Sequence, residues 1–413
     1  MRKYLIPKRM NLRPILTVAM SATILFGCRT SDTTKPVTGS FGEDVRFLSK
    51  HLSGIILLGD TTKGAIALSP EYQGRVMTST ADGMKGLSLG WINRELIASG
   101  KKQPHINAVG GEERFWLGPE GGQFGFYFPP GSTFTFENWQ VPPALDTESF
   151  TLTGKTHTSA TLTRDVELIN HSGNRFPLHI NRTIRLSDKP TLEKVLNGAL
   201  PEEIKFVSFE TENTITNIGQ TAFTSESGLP SIWILSMLNA SKNTWIGIPY
   251  RPEATGKIVT DDYFGKVPSE RLLIGDSMMW FKADAAHRSK IGIPPGRALP
   301  WMCSVQPAEN NQIHLTLAVF DVPAGNQRYV NSTWAIQDDP FSGDVANAYN
   351  DGPNETGSQM GEFYELESSS PGAELAPGGS LTHRHRTIHL TGNAEAIKMI
   401  FRNFTGLRLN SPR

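Results

Sequence analysis

The stretch GIILLGDTTKGAIALSPEYQGRVMTS, residues 54–79, decides the fold class. Runs 55–58, 65–68 and 75–79 are short and apolar or β-prone, and the turn formers DTTKG and PEYQG separate them. Short runs bounded by Gly, Pro and Asp read as strands joined by tight connections. The pattern persists through 124–128, 150–153, 160–170, 178–186, 204–216, 231–238, 244–248, 271–274, 313–320, 362–367 and 381–390. Crossover helices are missing between these runs, so the sheets are expected to be antiparallel and packed face to face. The expected architecture is all-β, a large antiparallel sandwich with a few short helices. One helix is legible ahead of it. Ser40 and Glu43 have capping-box spacing, and Val45, Leu48 and Leu52 recur on one helical face.

Composition limits the function classes. The 413 residues are 38% hydrophobic, with 40 Lys+Arg against 40 Asp+Glu. A chain of zero formal net charge has no long-range field to gather polyanions, so no nucleic-acid partner is expected. The 39 Gly and 27 Pro are spread along the chain, as short strands and turns require.

The first residues carry an export signal. Arg2, Lys3, Lys8, Arg9 and Arg13 precede an apolar run, 15–26, too short for a stable membrane span. It ends in LFGC, with Gly27 before Cys28. This pattern reads as a lipoprotein signal peptide over 1–27, lipidation at Cys28, and a polar tether over 28–39. A single domain is expected over 40–413, held outside the cytoplasm at the cell envelope by its lipid anchor. Cys28 and Cys303 are the two cysteines, so a lipidated Cys28 leaves no disulfide.

Two stretches concentrate candidate chemistry. In GGEERFWLGPEGGQFGFYF, residues 110–128, glycine pairs flank Arg114, Trp116 and Glu120, with Gln123 just beyond. Glycine permits close backbone approach to a ligand, and an indole offers a flat face to the C–H side of a sugar ring. Arg114 and Glu120 would supply charge-assisted hydrogen bonds. In FYELES, Glu365 and Glu367 share one strand face. In LTHRHRTIHL, His383, His385 and His389 share a face opposite Arg384 and Arg386. If these two runs paired, two carboxylates would lie beside two imidazoles, as an acid–base pair or an H-x-H plus carboxylate metal site. No cofactor is predicted beyond a metal at His383/His385 with Glu365/Glu367. Asn213, near a strand end, and Asp351, in a tight turn, are further candidates for binding hydroxyls. Arg182, a cation on the apolar face of LHINRTIRL, requires a carboxylate partner.

These motifs resemble the galactose-mutarotase-like superfamily, which includes the aldose 1-epimerases. LES at 366–368, LAPGGS at 375–380 and the THRHRTIHL run after it resemble the epimerase pattern "L-E-T-Q … L-x-P-G-E … T-x-Y-x-F". PEYQGRVMTS resembles the "G-x-R-I" strand, and GGEERFWLGPEGG the glycine-rich sugar-binding segment. The resemblance implies a β-supersandwich with a sugar in a cleft on one sheet, and Glu367 as catalytic base. It breaks at TNIG, 216–219, where Ile218 stands for the general-acid histidine of "T-N-H-x-Y-F-N-L". Three readings stay open. One is a carbohydrate-active epimerase, isomerase or lyase that is not a standard mutarotase, using Glu367 with His383, Arg114 or Glu120. The others are a glycan-binding lipoprotein without catalysis, and a structural lipoprotein.

Overall fold

A computed structural model describes residues 39–412, residue 355 excepted. The signal peptide, Cys28 and nearly all of the tether lie outside the described residues. The first described element is the helix Phe41–His51, capped as its sequence requires. Ser40 Oγ accepts from the Glu43 amide, and Glu43 Oε2 accepts from the Ser40 amide at 2.9 Å.

Three antiparallel sheets follow. A small one joins Ile56–Gly59, Ala65–Ser69 and Arg75–Thr80, within about a residue of the runs read in the opening stretch. A ten-stranded sheet runs in the spatial order Leu272–Ile274, Met278–Lys282, Trp245–Pro249, Trp301–Ala308, Gln312–Phe320, Ser380–Asn393, Lys205–Asn217, Arg175–Leu186, Ser159–Ile169, Thr151–Lys155. A six-stranded sheet runs Ser289–Ile293, Ala346–Asn350, Phe363–Ser369, Ser231–Leu235, Arg114–Gly118, with Leu238–Asn239 paired to Phe363–Ser369. The last two sheets face each other. Ile246, Phe281 and Met302 of the larger meet Ile291, Ala348 and Leu366 of the smaller in one buried core. The all-β antiparallel sandwich with few, short helices is therefore the observed fold.

Part of the far face of the ten-stranded sheet is covered by helices. Ile397, Ile400 and Phe401 of Ala394–Thr405 pack with Trp301, Leu317 and Ile388, each such side chain adding about 1.5–3 kcal/mol of burial. Asn393 caps this helix through the Glu395 amide, and Gly406 ends it at φ 75°. Among the described residues no helix is long and apolar enough to cross a membrane.

Two local expectations need correction. Residues 124–128 are turn and bend, not strand. Gly121, Gly122 and Gly125 break the run, and Phe126 and Phe128 fill the core from a loop. The runs 362–367 and 381–390 are strands but not partners. Phe363–Ser369 belongs to the smaller sheet and Ser380–Asn393 to the larger, so the connection between them crosses from one layer to the other.

The interior between the sheets is also polar. Arg182 is fully buried and meets Glu113 at 2.8 Å, the carboxylate partner its burial demands. His389 Nε2 meets Glu112 at 2.7 Å.

Candidate functional site

Strand alternation sends one set of side chains from the smaller sheet into the core and the other set outward. The outward set is Arg114 and Trp116, Trp233 and Leu235, Glu365 and Glu367, Asn347 and Tyr349, and Lys290. Pairing aligns them in rows. Lys290 lies opposite Tyr349, which lies opposite Glu365. Asn347 lies opposite Glu367, then Leu235, then Arg114. Segments more than 250 residues apart in the chain thus share one surface, covered by loops.

The charged groups on this face are interlocked. Arg114 Nη2 donates to Glu365 Oε1 at 3.0 Å, with its guanidinium 4.3 Å from the Trp116 ring centre. Trp116 is held by its own N–H, which donates to the Leu145 carbonyl at 3.0 Å, and lies edge-on to Trp233 at 5.6 Å. Trp233 Nε1 and Lys290 Nζ both donate to Glu367 Oε2, at 2.9 and 2.8 Å. Glu367 Oε1 is buried and has no partner. The Lys290 ammonium also lies 4.8 Å from the Trp233 ring and 5.7 Å from Tyr263. Tyr263 donates to Asp344 and accepts from Asn347. Gly292 makes room for this contact, since a Cβ there would stand 2.0 Å from Asp344 Oδ2.

Burial sets the electrostatics. It pushes the Glu365 carboxyl up to about 7; Arg114 pulls it back and Glu367 pushes it further up. Glu120 is raised by burial too, opposed by Lys290 and by the Trp334 N–H that donates to it at 2.9 Å. A carboxyl that titrates near neutrality, as Glu365 does, can give or take a proton.

The fold thus gathers Arg114, Trp116, Glu120, Glu365 and Glu367, and sends the other sequence candidates elsewhere. His383 Nε2 and His385 Nδ1 both bond Ser368 Oγ, at 2.8 and 2.9 Å, inside the sandwich. Glu367 points out of the same strand on the other side, so no acid–base pair and no metal set joins these histidines to Glu365 and Glu367. Among the described residues no cluster of three or more metal-ligating side chains occurs. Burial lowers both imidazoles to about 3, which keeps them neutral. Asn213 accepts from Arg182 at 2.6 Å and so serves the interior ion pair. Gln123 spends both ends of its amide on the backbone of Gln337, at 2.8 and 3.0 Å. Asp351 accepts from the Tyr349 hydroxyl at 2.7 Å and the Gly361 amide at 2.8 Å, a local anchor at the margin of the face.

The glycine pairs also serve the chain itself. A Cβ at Gly110 would meet the Trp91 carbonyl at 2.1 Å, and one at Gly121 the Thr333 carbonyl at 2.7 Å. Ile218 lies at the end of a strand in the larger sheet, 47% exposed. It is not beside Glu367, whose side-chain partners are Trp233 and Lys290. A cavity of about 640 Å³ opens elsewhere, with His383, Thr382, Ser380, Arg328 and Glu374 in its wall and none of the Glu367 cluster.

Sequence reasoning missed Lys290, Trp233, Tyr263 and Trp334. Trp233 sits inside a recognised strand, in SIWIL, and alternation alone places it opposite Ile232 and Ile234. Lys290 had a weaker signal, a lone cation in the short run SKIGI.

A family model described as "Family of unknown function (DUF6786)" matches residues 39–412. The chain belongs to this family. No curated protein matches the sequence of this DUF6786 member. Among solved structures it is similar to a protein of Escherichia coli K12 assigned as an aldose 1-epimerase, at TM-score 0.47 and 12% identity over 81% of this chain and 98% of that one. It is also similar to a galactose mutarotase-like protein from Lactobacillus casei ATCC 334, at TM-score 0.43 and 10% identity over 82% and 100%. A galactose mutarotase related enzyme from Lactobacillus acidophilus gives TM-score 0.42 and 8% identity over 82% and 97%.

Proposed function

We propose that the outward face of the smaller sheet is a carbohydrate site, with Glu367 at its centre. The observation that carries this reading is the Glu367 carboxylate. One oxygen is held by an indole and an ammonium, while the other is buried without a partner. An unpaired buried carboxylate oxygen costs roughly 1–3 kcal/mol, and a sugar hydroxyl would offset that by donating to it. Arg114 and Lys290, each set against an indole of Trp116 or Trp233, supply further donors beside it. The test is titration calorimetry of the purified protein against a panel of mono- and oligosaccharides, with Glu367→Gln as control. Binding that the substitution leaves intact would remove Glu367 from the site.

A catalytic reading is favoured by Glu365, one side-chain step away on the same face and raised to about 7. Glu365 as general acid and Glu367 as base would suit an epimerase, isomerase or lyase. Glu367's direct side-chain partners are Trp233 and Lys290, neither an imidazole, so a standard mutarotase mechanism is not proposed. A sugar that binds but is returned unchanged in composition, anomer and linkage assigns the site to binding alone.

We further infer from LFGC, residues 25–28, that the chain is exported and anchored at the cell envelope by lipid on Cys28. Mass spectrometry of the mature N-terminus tests it. An unmodified peptide spanning Gly27 and Cys28 would end the inference.

A further inference from the structure

The segment 331–337, NSTWAIQ, crosses the loop 119–123 as an irregular strap. Four hydrogen bonds hold it. The Glu120 amide donates to Ser332 Oγ at 3.1 Å and Trp334 Nε1 to Glu120 Oε1 at 2.9 Å; Gln123 and Gln337 exchange the other two. Gly121 and Gly122 let it lie this close, because a Cβ on Gly122 would come within 2.5 Å of Gln337 Nε2.

The strap completes an aromatic surface. Trp334 lies near-parallel to Trp139 at 5.9 Å, and Trp139 near-parallel to Phe136 at 6.0 Å. Trp334 is 36% exposed, Phe136 57% and Ile336 67%. Core packing does not explain rings that remain in water, and a contiguous exposed apolar patch marks a contact surface. Glu120 borders it, accepting from the Trp334 N–H, and Trp139 stacks on Tyr127, which packs against Trp116.

We propose that Trp334 and Phe136 form an outer sugar subsite, so that the ligand is an oligosaccharide whose inner residue reaches Glu367. This deepens the carbohydrate reading above and rests on it. Flat, near-parallel rings beside the Glu120 carboxylate match a pyranose, which is apolar on its C–H face and polar at its rim. The aromatic series Trp139, Tyr127, Trp116 and Trp233 links this surface to Glu367.

The experiment compares affinities across chain length. Glucose and galactose are titrated alongside β-1,4-linked gluco- and galacto-oligosaccharides of two to six units, into wild type, Trp334→Ala, Trp334→Phe and Phe136→Ala. The readout is the ratio of monosaccharide to oligosaccharide Kd. A roughly ten-fold gain with chain length is expected in wild type, as one aromatic contact supplies. The gain collapses in Trp334→Ala and is largely kept in Trp334→Phe, which retains a ring but loses the N–H to Glu120. Monosaccharide binding without a gain, or a gain that Trp334→Ala leaves intact, overturns the subsite alone. Wild type that binds no sugar of any length overturns the underlying reading with it.

Discussion

Glu367 and Ser368 are neighbours in the chain and serve opposite sides of one sheet. Glu367 takes the Lys290 ammonium at 2.8 Å on the outward face, and Ser368 bonds His383 at 2.8 Å in the interior. A strand's period of two enforces the division.

Ser368→Ala therefore tests the separation. Both His383 and His385 lose a buried partner, and a stability loss of about 1–3 kcal/mol is expected in urea unfolding. Sugar affinity should stay within two-fold of wild type. A selective loss of binding at full stability would mean that the two faces communicate.

Lys290→Met leaves the Glu367 carboxylate buried with only the Trp233 N–H. Breaking one side of a buried pair costs about 3–5 kcal/mol. Adding Glu367→Gln should recover much of that loss, because no unpaired charge remains. A double-mutant cycle with a coupling energy near zero would show that the pair is not formed in solution.

His383 and His385 are lowered to about 3 in the folded protein, against 6.5 when exposed. Between those values the unfolded chain binds more protons, so these groups favour the folded state above pH 6.5. Their contribution is lost progressively as pH falls towards 3. His385→Asn should reduce the slope of stability against pH in that window by about 1.4 kcal/mol per unit relative to wild type. Parallel urea titrations of the two proteins measure it, and an unaltered slope refutes the neutral buried imidazole.

Glu365 carries the opposite sign. Its carboxyl is raised to about 7, so between pH 4.5 and 7 the folded protein holds a proton that the unfolded chain has released. Stability from this group is present at acid pH and falls as pH rises through that window. Glu365→Gln should remove the effect. Infrared titration of the carboxyl band in wild type should find one group ionising near neutrality that the variant lacks.

Gly122 adopts φ 79° directly beneath the strap. Gly122→Ala adds both left-handed strain and a clash with Gln337, with an expected cost of at least about 1–2 kcal/mol. Displacement of the strap would carry Trp334 away from Trp139, and a shift in tryptophan emission reports it. Unchanged emission at reduced stability would show that the strap accommodates the methyl group.

Much of the fold was legible because its signals are local. Ser40 and Glu43 announce their helix within four residues, and the alternation of SATLTRDVELI or RFPLHINRTIRL needs no distant partner to read as strand. The need for a carboxylate near Arg182 also followed from chemistry alone. The helix Ala394–Thr405 had legible signals as well, in Asn393 and Gly406 at its ends. Its pattern follows directly on the long strand Ser380–Asn393.

The candidate site was only half legible. Arg114, Trp116, Glu120, Glu365 and Glu367 declare their chemistry by type, and the period of two tells which neighbours share a face. Which sheet receives each strand is set by non-local pairing. That choice placed His383 in the interior, brought Lys290 to Glu367, and turned the glycine pairs towards the chain's own backbone. Sequence determined the strands and their two-sidedness, because backbone geometry repeats every two residues. Tertiary structure alone decided which side meets which, because the energy that selects it comes from contacts between segments hundreds of residues apart.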